Sequence, residues 1–159
     1  MGVRTAMAGE LSAGGDEPLP RIAMVLGGLG LIPFVVGTFF EIAGGPGWGS
    51  PALRYYSATI LAFMGGIHWG LAIGVQGDHR GEDQMRLQLV ASVLPSLIAW
   101  LSLLMPMTQG ITTMAVAFLL LFAGDILAVK RGWAPTWYPK LRMPLTVVVV
   151  LCLLAAAWL

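Results

Sequence analysis

The sequence predicts an all-α membrane protein, a bundle of five transmembrane helices with its N-terminus inside and its C-terminus outside. Its composition leaves too little polar surface for a water-soluble fold, because 57% of residues are hydrophobic, only 11% are charged and the mean hydropathy is +0.81. Five apolar runs divide the chain, at residues 21–42, 55–75, 87–105, 111–129 and 143–159. At about 1.5 Å per residue, each run approaches the ~30 Å thickness of the hydrocarbon core.

The orientation follows from the positive charges. Of the nine Lys and Arg residues, all but Arg54 precede run one or lie between runs two and three or between runs four and five: Arg4, Arg21, Arg80, Arg86, Lys130, Arg131, Lys140 and Arg142. These segments share one membrane face if every run crosses the bilayer. The positive-inside rule makes that face cytoplasmic, or the matrix side in a mitochondrion. Arg54 flanks the first outer loop with Glu41 and could pair with it.

Residues 1–20 are predicted to be a disordered cytoplasmic tail, and residues 21–159 to form the transmembrane domain. The tail has neither the apolar core of a signal peptide nor the acid-free basic helix of a transit peptide. The first run is therefore expected to remain as an uncleaved helix. It contains Pro33 and several glycines, which a membrane helix tolerates because neighbouring helices approach closely and satisfy freed backbone groups.

The second run carries a glycine stripe and a histidine on different faces. Gly66, Gly70 and Gly74 recur every fourth residue, a spacing typical of helix faces where two backbones pack closely. His68 lies about 200° around the helix from this stripe, at 100° per residue. Neither face suits lipid, so this helix is predicted to be central in the bundle.

Polar residues of three runs are expected at a similar depth. Asp125 lies about one turn from the inner end of run four, and an acidic side chain in a membrane normally faces the bundle interior. Ser92 and Ser96 of run three and His68 of run two lie at comparable depths. The sequence thus predicts a polar layer in which His68 bonds to Asp125. This layer is either a purely structural contact or a site that handles protons or binds a ligand.

Enzymatic and metal chemistry have little support in the sequence. No GxSxG motif surrounds Ser92 or Ser96, as a serine hydrolase of that type would require. One buried histidine and one aspartate are too few ligands for a metal, and Cys152 is the single cysteine. We therefore expect no enzyme, no cofactor and no metal.

The last inner connection alternates cations with aromatic rings, a pattern that favours contact with anionic lipid headgroups or with a protein partner. Its candidate contact residues are Lys130, Arg131, Trp133, Trp137, Tyr138, Lys140 and Arg142. Nucleic acid is not an expected partner at this membrane depth.

Several segments together resemble a family of small membrane proteins of unknown function that includes vertebrate transmembrane protein 69 and many proteobacterial members. They are residues 26–34 (LGGLGLIPF), 56–70 (YSATILAFMGGIHWG), 94–100 (LPSLIAW), Asp125 and residues 137–146 (WYPKLRMPLT). The resemblance implies a multi-helix protein of bacterial inner membranes or of mitochondria. It implies no established activity, cofactor or catalytic residue.

Two classes of function remain open. The first is a non-enzymatic accessory or assembly factor of an inner-membrane complex, with a respiratory complex as the first guess, a protein partner in the membrane and homo-oligomers also allowed. The second is a small transporter or proton-conducting protein built around His68 and Asp125. A closed polar layer beside a flat glycine face favours assembly, whereas a hydrated cavity open to both sides favours transport. An enzyme acting on a lipid or quinone ranks third.

Overall fold

A computed structural model describes residues 19–74 and 82–159 of the chain. Within those ranges the secondary structure consists of five helices, each with a stretch long and apolar enough to cross a membrane. They are α1 (Arg21–Ile42), α2 (Gly49–Gly74), α3 (Glu82–Ser102), α4 (Met107–Lys130) and α5 (Tyr138–Trp158). The predicted five-helix fold class is confirmed, while the orientation of the termini stays a prediction. The predicted tail, up to residue 18, lies outside the described residues.

The helices extend beyond the predicted apolar runs. The bounds of α1 agree, but α2 begins at Gly49 rather than 55, α4 at Met107 rather than 111 and α5 at Tyr138 rather than 143. Hydropathy marks only the part of a helix inside hydrocarbon, and polar interfacial turns continue it. The first turn of α5 also contains a proline, whose fixed φ suits a helix start.

The five helices form a closed ring. Each helix packs on its neighbours in the chain, and α1 also packs on α5, while α2 contacts all four others. The ring of Phe34 from α1 meets the rings of Tyr56 and Phe118 edge-on, with centroids 5.1 and 6.2 Å apart. Further buried residues of this core include Leu61, Ile111, Met114 and Leu153. The prediction that α2 is central is consistent with this arrangement.

Close helix packing on α2 uses a different glycine from those predicted. A Cβ placed on Gly65 would lie 2.5 Å from the carbonyl oxygen of Ser92, so only glycine allows this approach of α2 to α3. Gly66, Gly70 and Gly74 would meet no atom within 4 Å, and all three are exposed. As a packing face inside the bundle, the predicted stripe is wrong. The prediction placed the wrong side of α2 against the bundle. The helix packs on α3 with the side that carries Gly65, and this leaves the side with Gly66, Gly70 and Gly74 uncovered by described residues.

Glu41 and Arg54, the two charged residues of the predicted outer side, bind backbone groups. A carboxylate oxygen of Glu41 accepts a hydrogen bond from the Ser50 amide at 2.8 Å and satisfies a free N–H of the first turn of α2. The Arg54 guanidinium donates to the carbonyls of Ser102 and Met105, just where α3 ends. In the described residues Glu41 and Arg54 therefore do not pair with each other. The lone outer cation has a structural role, since cations stabilise helix C-termini.

Candidate functional site

The core of the candidate site is a direct hydrogen bond between α2 and α4. The Nε2 atom of His68 lies 2.7 Å from Oδ1 of Asp125, and the Asp125 side chain is only 1% exposed. A carboxylate accepts hydrogen bonds, so the neutral ring that fits this contact carries its proton on Nε2. The structure thus contains the His68–Asp125 contact that the matched depths predict.

A third member, Arg142, was missed by the sequence analysis. Its Nε donates to Oδ2 of Asp125 at 2.9 Å, and the residue is 6% exposed. The predicted interfacial contact role of Arg142 is wrong, because α5 begins one turn earlier than its apolar run and carries this residue into the bundle. One signal in the sequence could have identified Arg142. Tyr138 and Thr146 lie four residues before and after it, and this spacing places all three residues on one face of a helix.

The two serines lie near this network but do not join it. The buried Ser92 hydroxyl donates to the Leu89 carbonyl of its own helix at 2.6 Å. Ser96 is half-buried one turn later. Among the described residues neither hydroxyl bonds to His68 or Asp125. The third member of the polar layer is therefore Arg142 rather than a serine. Backbone carbonyls one turn back compete well for serine hydroxyls within helices, which explains the difference.

The basic and aromatic residues of the inner connection fall into two groups. Lys130, Arg131 and Lys140 are exposed, and Trp133 and Trp137 are half-buried, as an interfacial position requires. The Arg131 guanidinium lies over the Trp133 ring, 4.9 Å from its centroid. Tyr138, by contrast, is 8% exposed and faces the bundle. Its predicted interfacial role is wrong for the same reason as that of Arg142.

Two cavities lie on opposite sides of the network. A cavity of about 450 Å³ between α3 and α4 is lined by apolar side chains together with His68, Gln88, Arg131 and Trp133. A cavity of about 340 Å³ among α1, α2 and α5 is lined by apolar side chains together with Tyr138, Arg142 and Thr146. His68 lines the first and Arg142 the second, and Asp125 bonds to both. We name them the α3–α4 cavity and the α1–α5 cavity.

The network is electrically balanced in the form that its hydrogen bonds favour. An ionised Asp125 and a protonated Arg142 sum to zero beside a neutral His68, so no net charge is left in a low-dielectric region. Each carboxylate oxygen has one donor. Such an arrangement ties α2, α4 and α5 together through one buried carboxylate. Among the side chains that the structure describes, in residues 19–74 and 85–159, no group of three or more His, Cys, Asp or Glu is suited to hold a metal.

Residues 19–158 match a family model described as "Protein of unknown function (DUF3429)", which covers the whole five-helix region. The chain belongs to this family. Among relatives it is similar to transmembrane protein 69 of Xenopus tropicalis, with 35% identity over 144 residues, 86% of this chain and 54% of the relative. For transmembrane protein 69 of Mus musculus, the identity is 25% over 139 residues, 84% of this chain and 53% of the relative.

The chain therefore spans about half the length of these curated relatives. No solved structure matches it. The family resemblance noted from the sequence motifs is confirmed, and the relatives' names agree with a membrane protein. Neither the family description nor those names include an activity.

Proposed function

We propose that this family member is a non-enzymatic protein of the bacterial inner membrane, or of the mitochondrial inner membrane, that supports the assembly of a larger membrane complex. A respiratory complex is the first candidate. The observation that carries the proposal is the open glycine face of α2, formed by Gly66, Gly70 and Gly74, which no described residue of the bundle covers.

The glycine face suits a transmembrane helix of another protein. Its three residues present backbone on successive turns, and no atom of the described residues lies within 4 Å of a Cβ placed there, so a partner helix could approach closely. Trp69 and Ile73, which are 47% and 56% exposed, lie beside it and offer apolar side chains for the same contact. In lipid such packing supplies the van der Waals contacts that drive helix association.

The interior supports a scaffold better than a transport route. Between the network and the outer side, the core is filled by apolar side chains such as Phe118, Met114 and Ile111, each at most 1% exposed. Farther out, Arg54 is held by backbone carbonyls. A hydrated path would have to displace this packed layer.

The test is a photocrosslinking residue at position 70 of the full chain in its own membrane, combined with native electrophoresis of the solubilised complexes. We expect crosslinks to a distinct membrane protein. Gly70→Leu should shift the chain from the large complex to the free form. The matched control is Gly28→Leu, because Gly28 is also an exposed helical glycine with nothing within 4 Å. Equal effects of both variants, or crosslinks only to a second copy, would contradict the proposal.

The alternative is a small transporter or proton-conducting protein, favoured by one observation: the His68–Asp125–Arg142 chain connects two cavities. Proton flux through purified protein in liposomes, lost in His68→Ala and kept in Gly70→Leu, would support this alternative. Flux at the level of empty liposomes would count against it.

A further inference from the structure

The α1–α5 cavity combines apolar walls with three buried polar groups that have no partner. The hydroxyls of Tyr138 and Thr146 and the Nη2 atom of Arg142 make no hydrogen bond to any part of the chain that the structure describes, and all three residues are more than nine-tenths buried. All three line this cavity. They lie on successive turns of α5, so they form one polar line about 12 Å long. Unsatisfied buried polar groups cost free energy, and three in one place need an explanation.

The chemistry of these groups defines what would satisfy them. An arginine Nη2 is only a donor, so the missing partner must offer an acceptor oxygen. The charge of Arg142 is already balanced by Asp125, with which it forms an ion pair. An anion would add an uncompensated charge to a buried site, which is unfavourable. The partner therefore carries a neutral acceptor such as a carbonyl.

The rest of the cavity requires an apolar molecule. Its other walls are side chains of α1, α2 and α5 such as Leu26, Leu31, Phe63 and Leu145. Gly27 and Gly30 of α1 also line it, and a Cβ placed on Gly30 would meet only the Tyr56 hydroxyl, 3.9 Å away. Leu26 and Phe63 are more than half exposed, so the cavity borders the lipid-facing surface of the bundle. A molecule with a hydrocarbon tail would reach it from the membrane.

We propose that the α1–α5 cavity binds a neutral carbonyl-bearing amphiphile from the membrane, with one carbonyl oxygen accepting from Nη2 of Arg142, its other oxygens along the polar line towards Tyr138 and Thr146, and its tail along α1. An isoprenoid-type quinone and an ester-linked acyl lipid share this chemistry. The site is independent of the glycine face of α2, and it goes beyond the proposed assembly role.

The experiment uses the full chain in nanodiscs of dialkyl ether phospholipid, which contains no carbonyl. The probe is a decyl-benzoquinone with a diazirine in its tail, and labelled peptides are located by mass spectrometry. We expect saturable labelling within α1 or α5. Unlabelled decyl-benzoquinone should compete if the site takes quinones. Diacyl phosphatidylethanolamine should compete better than its dialkyl ether form if the site takes acyl esters.

Conservative variants separate binding from folding. Tyr138→Phe and Thr146→Val remove only hydroxyls that have no partner, so the Tm without probe should be unchanged or raised while labelling falls at least tenfold. Tyr55→Phe and Thr59→Val are matched controls on the exposed surface of α2 and should label like the unmodified protein. Gly30→Leu fills the cavity without touching the three polar groups and should also abolish labelling.

The proposal is overturned by three results: no saturable labelling, labelling unaffected by Tyr138→Phe and Thr146→Val, or a lack of competition both by unlabelled decyl-benzoquinone and by the diacyl lipid relative to its dialkyl ether form. The first would mean that the polar groups are merely hydrated. The failure of the α2 assembly test would leave this site unaffected, because the two surfaces share no residue.

Discussion

At the residue scale, the most constrained side chain is Asp125. Each of its oxygens accepts one hydrogen bond, from helix α2 through His68 and from helix α5 through Arg142. An isolated charge this deep is costly, and removing one partner of a buried pair leaves the other uncompensated. The stability of the bundle therefore depends on keeping the donors and the carboxylate together.

Asp125→Leu should destabilise the protein by about 3 kcal/mol, because it leaves the Arg142 charge buried without its counterion. The double variant Asp125→Leu with Arg142→Met should lose roughly 1–3 kcal/mol less free energy of unfolding than the two single variants lose in sum. The measurement is unfolding in mixed micelles with increasing SDS. As a control, Arg131→Met, at an exposed cation, should cost about 1 kcal/mol or less. Strictly additive losses would show that the ion pair contributes nothing to the fold.

Adjacent glycines of α2 should respond in opposite ways to alanine. Gly65→Ala places a methyl group against the Ser92 carbonyl and should cost about 1–3 kcal/mol. Gly66→Ala has open space and should be neutral or stabilise the purified chain by up to about 1 kcal/mol, since alanine favours helices. Thermal unfolding of both variants in detergent tests the pair. A larger loss for Gly66→Ala would mean that α3 packs on the other side of α2.

At the element scale, the sequence predicted the helices better than their contacts. The part of a helix that lies in the hydrocarbon core must be apolar, so the hydropathy of the sequence predicted all five helices. The predicted bounds of α1 agree with the structure. The interfacial turns were missed because their residues look like loop residues. The most important residue missing from the predicted polar layer is Arg142. Its position near Lys140 in the sequence suggested contact with headgroups, whereas the helical register of α5 directs its side chain into the bundle. Tertiary packing decides which face of a helix contacts each neighbour. A periodic stripe such as Gly66, Gly70 and Gly74 does not determine this by itself.

The end of α3 offers an element-scale prediction. Arg54→Met removes the donor to the Ser102 and Met105 carbonyls and should cost about 1.5–3 kcal/mol, the range for hydrogen bonds from a charged group. Amide hydrogen exchange should increase first at the outer end of α3, where the local structure opens. Arg21→Met, at an exposed cation outside the core, is the control and should leave exchange there unchanged. If amides at the outer end of α3 exchange equally slowly in both variants, the Arg54 hydrogen bonds are not needed to hold that helix end.

At the scale of the whole molecule, five membrane crossings would place the beginning of α1 and the end of α5 on opposite membrane faces. Charge asymmetry predicts that the N-terminal side is inside, and the contacts of Arg54 and Arg142 within the protein modify that argument without reversing it. Both are held by partners within the protein, so neither reports on headgroup contact. Lys130, Arg131 and Lys140 remain exposed on the predicted inner face.

Single cysteines test this orientation in a chain whose own Cys152 is replaced by alanine. Thr136→Cys should resist a membrane-impermeant maleimide in intact cells and react after permeabilisation, whereas Pro46→Cys should react in both states. Both positions are exposed loop residues, so accessibility in the folded chain is matched. Prompt labelling of Thr136→Cys in intact cells would reverse the assigned orientation.

The position of Asp125 in the chain also has a consequence for synthesis. The residue is made 57 positions after His68 and 17 positions before Arg142. At about 5–20 residues per second, α4 waits roughly one to three seconds at the translocon before its cationic partner is made. During that interval the carboxyl group must be protonated, hydrated or held by His68 alone. The first four helices are thus made as an incomplete bundle, and Asp125 gains its second hydrogen-bond donor only after α5 has been made.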